Sequence, residues 1–590
     1  MRHFCRRTTG ILLTAAVTTT TVSALPEIAI TKRDGELKAS ERAHGVVKRA
    51  DGDGTVETNV FDVATWSTGG AYYANVTVGT PPQHQVVILD TGSSDLYFDS
   101  SHAATCQTTG QYSCRGGTFS PDDSNTYHVV DPSPAFNTSF GDGSTAVGPF
   151  GSDTVGIGDV RIDNVQFGVA QEVNATTGYA VGLMGLGYSY NEATQYIYPN
   201  MPEVLRDTGI INSRLYSIYL NDLSSISGSI LFGGIDTTKF TGPLTTLDIL
   251  PSPISGGISQ FITTVTSLSL TTNDGQTTSL FTGGTNSPTA YESTNPALPV
   301  LLDTGSAAWS LPQSYYETYI APVVPYIDSY GLCACTHRQS NTTFTLTFGE
   351  KIAIDVPISE LIVPIYNSTT RQPIPYSESE DACAFLIVPA EPTGQGFQTL
   401  GDAVLRSLYV VFDLDNGQVS LAQAATNNDA GSTSSDSSRR GNVIPVPAGP
   451  GGVAAALSSA SASASASYVP VSASQSYSIA PLVTAASQTS DFTVSTAGST
   501  IGTATGSAAV PAGARVTDDG TPGTDGSGTG AGGNGGTGTS GDGQAGSATS
   551  SGAAVGVAKR GRMSGWCGSE VWSLGLVGLL GFGVGMGVMM

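Results

Sequence analysis

Positive charge is scarce in this chain. Its 590 residues carry 24 Lys and Arg against 48 Asp and Glu, a formal net charge of −24. So acidic a surface repels phosphate, and nucleic acid is excluded as a partner class. Histidine is scarcer still. His3, His44, His84, His102, His128 and His337 show no metal-ligand spacing, so neither a metal nor another cofactor is expected. There is no Gly-x-Ser-x-Gly elbow and no Cys/His nucleophile pair, which removes the common serine and cysteine hydrolase arrangements. Helix-length amphipathic patterns are few, Tyr315 to Pro325 being a candidate.

Cysteine is sparse as well: Cys5, Cys106, Cys114, Cys333, Cys335, Cys383 and Cys567. The first and last lie in removable end segments. Cys106 and Cys114 are close enough to close a small loop. Cys383 can pair with Cys333 or Cys335; residues two apart on a strand point the same way, and only one of them can bond it. Cys335 is favoured, which leaves Cys333 as a buried free thiol, unusual in an oxidising compartment.

What is present divides the chain into segments. Arg2, Arg6 and Arg7, the apolar stretch Ile11 to Val17 and Val22-Ser23-Ala24 read as a secretory signal over 1–24. Residues 25–49 form a short pro-segment ending in Lys48-Arg49, a pair suited to a kexin-type processing protease; Lys32-Arg33 is a second candidate. A chain of this length exceeds one core, and an N-terminal β lobe is expected over 50–240 and a C-terminal β lobe over 241–426. Residues 427–557, dominated by Ser, Ala, Gly and Thr, read as a disordered, O-glycosylated stalk. Region 558–590, with its uncharged tail Val571 to Met590, fits the attachment signal of a GPI membrane anchor, preceded by Ser551-Gly552-Ala553 and Ser564-Gly565. A retained membrane helix is the alternative, and Lys559-Arg560 is a possible release point. Sequons stand at Asn75, Asn137, Asn174, Asn341 and Asn367.

From about Trp66 to Ala424 the chain is a succession of short β-type runs between Gly, Asn, Asp and Pro. Ala71 to Val78, Gly228 to Phe232 and Phe344 to Phe348 are examples, and the fold class is all-β. Between Ala50 and Ala430 there are 37 Asp and Glu against 9 Lys and Arg, a net of −28. That much like charge opposes compactness at neutral pH and is relieved in acid.

Two copies of one phrase organise this region. Val86-Val87-Ile88-Leu89 runs into Asp90-Thr91-Gly92-Ser93, and Val300-Leu301-Leu302 into Asp303-Thr304-Gly305-Ser306. Each is an apolar strand that ends on a carboxylate and a turn. Each is followed by an apolar run that meets glycine: Ala180 to Gly187 after the first, Phe397 to Asp402 after the second. The order acid strand, apolar-Gly, acid strand, apolar-Gly predicts two homologous β lobes, each giving one acid to the cleft between them. Two acids sharing a site cannot both ionise cheaply. One keeps a proton while the other, as carboxylate, activates a water against a peptide carbonyl. Thr91 and Thr304 would tie the loops together, Gly92 and Gly305 would allow close approach, and Ser93 and Ser306 would each hydrogen-bond the neighbouring acid. Asp95, Asp99 and Asp142 also admit a plain reading as solvated charges.

Residues 66–426 resemble the pepsin family of aspartic peptidases. The phrases that carry the likeness are Gly79-Thr80-Pro81-Pro82-Gln83, Asp90-Thr91-Gly92-Ser93-Ser94, Gly182 to Gly187, Asp303-Thr304-Gly305-Ser306, and Leu400-Gly401-Asp402 followed by Val411-Phe412-Asp413. With its leader, stalk and tail, the whole chain is similar to the yapsin-like, GPI-anchored secreted peptidases of fungi. The resemblance implies a bilobal β fold, endopeptidase activity in acid on protein or peptide substrates, a monomeric enzyme, and a place at the plasma membrane or cell wall. It also implies a hairpin flap, here Phe140-Gly141-Asp142-Gly143. Phe140 stands where the family carries Tyr, and Tyr97 where it carries the Trp that this Tyr bonds. An Asp at position 142 implies acceptance of Lys or Arg before the scissile bond. The competing reading is a non-catalytic cell-wall glycoprotein that keeps the fold and binds peptide or polysaccharide.

Overall fold

The computed structural model describes residues 46–47, 54–63 and 71–473, the last apart from short internal stretches of which 284–296 and 427–442 are the longest. The signal, the basic pairs, the anchor region, Cys5, Cys567, Trp66 and most of the stalk lie outside the described residues, as does the pro-segment apart from Val46–Val47.

Strand Gln83–Asp90 becomes continuously apolar from Val86, the pattern of a strand covered on both faces. It pairs antiparallel with Ala71–Val78 through the Gly79 to Pro82 turn, where Gly79 takes a φ of 85°. On its other side lies Gly182–Gly185, parallel, with Gly185 opposite Asp90. Leu96–Asp99, Phe150–Ile157 and Val160–Ala170 extend the same sheet. Phe98, Phe119 and Phe167 fill the core beneath it edge to face, with ring centroids 5.0 and 5.6 Å apart for Phe167 with Phe98 and with Phe119.

The second half repeats the plan. Leu298–Leu302 lies between Ile262–Thr271, antiparallel, and Gln398–Leu400, parallel, with Leu302 opposite Leu400. Thr277–Thr282, Thr343–Phe348, Ile352–Pro357, Trp309–Pro312 and Ile387–Ala390 complete that sheet. In both halves an acid-bearing strand is therefore flanked by a parallel strand carrying the apolar-Gly phrase.

A third group of strands joins the halves. Phe240–Asp248, Gln418–Ala424, Leu408–Asp413, Leu215–Tyr219, Gly228–Phe232 and Val56–Val63 are neighbours in that order, and Val56–Val63 continues onto Ala71–Val78. The expected lobe division at 240/241 thus falls at the start of a strand within a shared sheet. Side-chain alternation gives this sheet two buried faces. Tyr216, Ile218, Val410 and Phe412 point into the main core, while Leu215, Tyr219, Tyr409 and Val411 form a separate cluster on the far side.

The far face brings a correction. The stalk was expected to be disordered from 427, yet Val443–Pro445 pairs with Gly234–Asp236 and Gly452–Ser463 is a helix. The cause is an apolar stripe that bulk composition conceals. Val453, Ala456 and Leu457 fall at i, i+3 and i+4, and all three are buried against the far face. The helix expected over Tyr315 to Pro325 is also shorter than the pattern suggests. One α turn, Gln313–Tyr315, passes into the wider π turn Tyr316–Ile320. Pro322 and Pro325, which lack an N–H, keep a regular helix from continuing.

Candidate active site

Asp90 ends its strand and Asp303 directly follows its own, and both are buried. The loops that follow are locked to each other by their threonines. Thr91 N–H donates to Thr304 Oγ1 at 3.2 Å and Thr304 N–H to Thr91 Oγ1 at 3.0 Å. Each hydroxyl then donates across to the opposite strand, Thr91 to the Leu302 carbonyl and Thr304 to that of Leu89, both at 2.8 Å. Four buried hydrogen bonds thus fix one loop against the other, and each backbone group they satisfy would be costly to leave bare.

The clamp presses the acids together. A Cβ on Gly92 would lie 2.6 Å from Asp303 Oδ1, and one on Gly305 2.5 Å from Asp90 Oδ1. Only glycine lets the two loops approach this far. Gly92 N–H donates to Asp90 Oδ1 at 2.7 Å and Gly305 N–H to Asp303 Oδ1 at 2.8 Å. Ser93 Oγ donates to Asp90 Oδ2 at 2.5 Å. Ser306 departs from expectation: only its backbone N–H contacts Asp303, at the carbonyl oxygen, and its hydroxyl does not reach the carboxylate. Asp90 thus has a hydroxyl donor that Asp303 lacks. Donors favour the charged form of a carboxyl. Burial, the Asp90 charge and a hydrogen bond with Asp90 all push Asp303 well above the usual carboxylate range. Two buried acids this close cannot both ionise cheaply, and what is lost on titration belongs to the pair and not to either residue.

The flanking strands hold the acid loops from behind. Leu186 N–H donates to the Asp90 carbonyl at 2.8 Å and Gly187 N–H to that of Ser93 at 2.8 Å. In the other half, Asp303 N–H donates to the Leu400 carbonyl at 3.2 Å and Asp402 N–H to that of Ser306 at 2.8 Å.

Phe136–Ser139 and Thr145–Gly148 form the flap hairpin, turned by Gly143 at a φ of 85°. Phe140 rests on Tyr97 with ring centroids 6.3 Å apart, and Tyr97 on Phe136 at 5.4 Å. Among the described residues the Tyr97 hydroxyl reaches only the Val181 carbonyl, at 3.4 Å. Aromatic contact stands where the family's Tyr–Trp hydrogen bond would be. Asp142, half-buried, accepts from Ser144 N–H at 2.9 Å and Ser144 Oγ at 2.8 Å.

Asp95 and Asp99 are not solvated. Asp95 accepts from the Tyr198 hydroxyl at 2.8 Å and Ala193 N–H at 2.7 Å, and burial raises its carboxyl. Asp99 is 1% exposed, and neither of its oxygens has a hydrogen-bond partner among the described residues. Burial lifts it to about 7. Glu192, beside Tyr198, is lifted to about 10, chiefly by burial. The sequence carries little sign of these three. Each burial depends on a distant segment, as Asp95 does on residues 193–198.

Cys106 bonds Cys114 and Cys335 bonds Cys383, while Cys333 is free and buried. Asp99 with Cys106 and Cys114 is a grouping tight enough for a metal, but the disulfide consumes both sulfurs. A thiolate ligand would need them reduced.

Two β halves, each delivering a carboxylate from the end of a buried strand into one shared site, define an aspartic peptidase. Residues 71–424 match the family described as Eukaryotic aspartyl protease, and the chain belongs to that family. It is 36% identical over 386 residues to probable aspartic-type endopeptidase opsB of Aspergillus oryzae, covering 64% of this chain and 72% of the relative. It is 34% identical over 375 residues to secreted aspartic protease 8 of Candida albicans, covering 63% and 78%. The chain is thus a hydrolase of peptide bonds, as its fold implies.

Proposed function

We propose that this peptidase is secreted, works in acid, is held at the cell surface by a GPI anchor, and uses Asp90 and Asp303 as its catalytic pair. The observation that carries the reading is the clamped, buried acid pair, with the Asp303 carboxyl pushed well above the usual range by burial and by Asp90. Asp90, as carboxylate, takes a proton from a water held between the acids, and the water oxygen attacks the scissile carbonyl. Asp303 gives its proton to the carbonyl oxygen. When the C–N bond breaks, the amine takes the proton from Asp90 and Asp303 recovers its own. Phe140 and Tyr97 exclude water over the site.

The acidic working range follows from the pair itself, since the shared proton leaves as pH rises. Secretion is supported by the leader pattern and by relatives named secreted proteases. The apolar tail supports the anchor, and Lys48-Arg49 supports removal of the pro-segment by a kexin-type protease. The exposed sequons Asn137, Asn174 and Asn341 are the best placed for glycosylation. Asp142 on the flap supports acceptance of Lys or Arg before the scissile bond. The non-catalytic alternative has the changed flap in its favour and the intact acid pair against it.

The test is cleavage of a denatured protein at pH 4 by the wild type, Asp90→Asn and Asp303→Asn. Each substitution should cost several orders of magnitude in turnover while the protein still folds. Near-normal activity in either would overturn the assignment.

A further inference from the structure

The segment after the matched family region does more than leave the domain. Val446 N–H donates to the Gly233 carbonyl at 2.9 Å, extending the pairing of Val443–Pro445 with Gly234–Asp236. Val446, Val453, Ala456 and Leu457 are buried on Leu215, Tyr219, Phe240, Leu244, Tyr409 and Val411. Gly452, at the helix start, fits against the hairpin 413–418 so closely that a Cβ there would meet Asp413 Oδ2. Val471–Ala473 then pairs in parallel with Phe240–Asp248, the strand that otherwise ends this sheet. One stretch of chain thereby covers both a face and an edge of the sheet that joins the halves. A bare apolar face and an open strand edge are each liabilities in water.

We propose that Val443–Pro445, the helix Gly452–Ser463 and Val471–Ala473 form a strap on which the folded peptidase depends, and that the folded unit therefore extends past 426. The occupant of the far face is this chain's own segment. The strap lies opposite the catalytic loops. The near face of the sheet carries Tyr216, whose hydroxyl donates to the Leu186 carbonyl at 2.9 Å, and Leu186 N–H holds the Asp90 carbonyl.

The experiment compares full-length wild type, Leu457→Asp, Leu457→Ala and Ser458→Asp, the last on the exposed side of the helix. Thermal unfolding, hydrogen exchange and peptide cleavage are measured on each. Leu457→Asp should lower Tm by roughly 5 °C or more. It should also strip exchange protection from Ile235, which lies opposite Ile444 of the strap, more than from Asp236, whose N–H donates to the Tyr409 hydroxyl. Leu457→Ala should give a smaller loss of both, and Ser458→Asp none. A synthetic peptide of residues 443–473 added to Leu457→Asp should recover part of the Tm. If Leu457→Asp does not fold, the graded loss in Leu457→Ala carries the test. A Leu457→Asp protein with wild-type Tm and protection overturns the strap. Inactive but stable wild type would instead count against the peptidase reading, so the two failures are distinguishable.

Discussion

Thr91 and Thr304 exchange hydrogen bonds reciprocally, each backbone N–H donating to the other's hydroxyl, 213 residues apart in sequence. The two acids cannot move apart without breaking this clamp. Thr304→Ala would remove one acceptor and one donor, leaving the Thr91 N–H and the Leu89 carbonyl buried and unpaired. Each orphan costs about 1–3 kcal/mol. The expected outcome is a lower Tm and a fall in kcat larger than any rise in KM, because the reacting pair loses its geometry. Thr304→Ser, which keeps the hydroxyl, should restore most of both. Equal losses in the serine and alanine variants would show that the methyl group, not the clamp, matters.

Much of this was legible because the two acid phrases repeat, and a repeat is visible without any structure. The apolar run before each acid gave the buried strand, and the Gly after it gave the close approach. The parallel pairing of Gly182–Gly185 and Gln398–Leu400 with the acid strands was not legible, since partner choice depends on non-local packing. Ser306 shows the limit of the repeat. Its sequence matches Ser93, yet only Ser93 reaches its acid. The strap was hidden for another reason: its helix is mostly Ala and Ser, and three side chains decide its burial.

Asp99 makes the pH dependence of stability testable. Its folded pKa, about 7, lies above its unfolded value of 3.8. The folded state therefore holds this proton more tightly, so the contribution is full below about pH 4 and lost as pH rises through about 7. At 1.36 kcal/mol per unit the loss is at most about 4 kcal/mol. Asp413, lifted to about 6 by burial, acts in the same direction. Asp99→Asn should leave Tm at pH 4 little changed and raise it at pH 7.5. An equal shift at both pH values would mean that the Asp99 proton plays no part.

Cys333 lies directly across from Cys383 in the antiparallel pair, although Cys383 bonds Cys335. Opposed residues in such a ladder have Cα atoms about 4.5–5.5 Å apart, within disulfide range. Burial, then Asp328, pushes the Cys333 thiol up to about 12, so it is inert in the folded protein. Removal of its competitor should change that during folding. In Cys335→Ser, non-reducing peptide mapping should find Cys333 bonded to Cys383. In Cys333→Ser the original pair should persist. Two free thiols in Cys335→Ser would show that the strand geometry forbids the exchange.

The proposed acceptance of basic substrates is tested at Asp142. Its carboxylate accepts twice from Ser144, which fixes its orientation beside Phe140. A carboxylate is also the acceptor that a Lys or Arg side chain pairs with by charge-assisted hydrogen bonds. An exposed ion pair contributes only about 0.2–1 kcal/mol. Closure of Phe140 over the pair would strengthen it, because charge-assisted hydrogen bonds gain as water is excluded. Asp142→Ser should therefore cut kcat/KM for peptides with Lys or Arg before the scissile bond by more than tenfold, which corresponds to about 1.4 kcal/mol. Cleavage after Leu or Phe should change far less. Because the variant also removes the turn contacts with Ser144, Asp142→Asn is the companion measurement. It keeps one acceptor oxygen for the Ser144 N–H, offers its NH2 to the Ser144 hydroxyl in place of the second oxygen, and removes the charge. If both variants lose basic and apolar substrates equally, Asp142 shapes the flap turn and does not read the substrate. If Asp142→Asn loses the basic peptides selectively, the charge itself is the determinant.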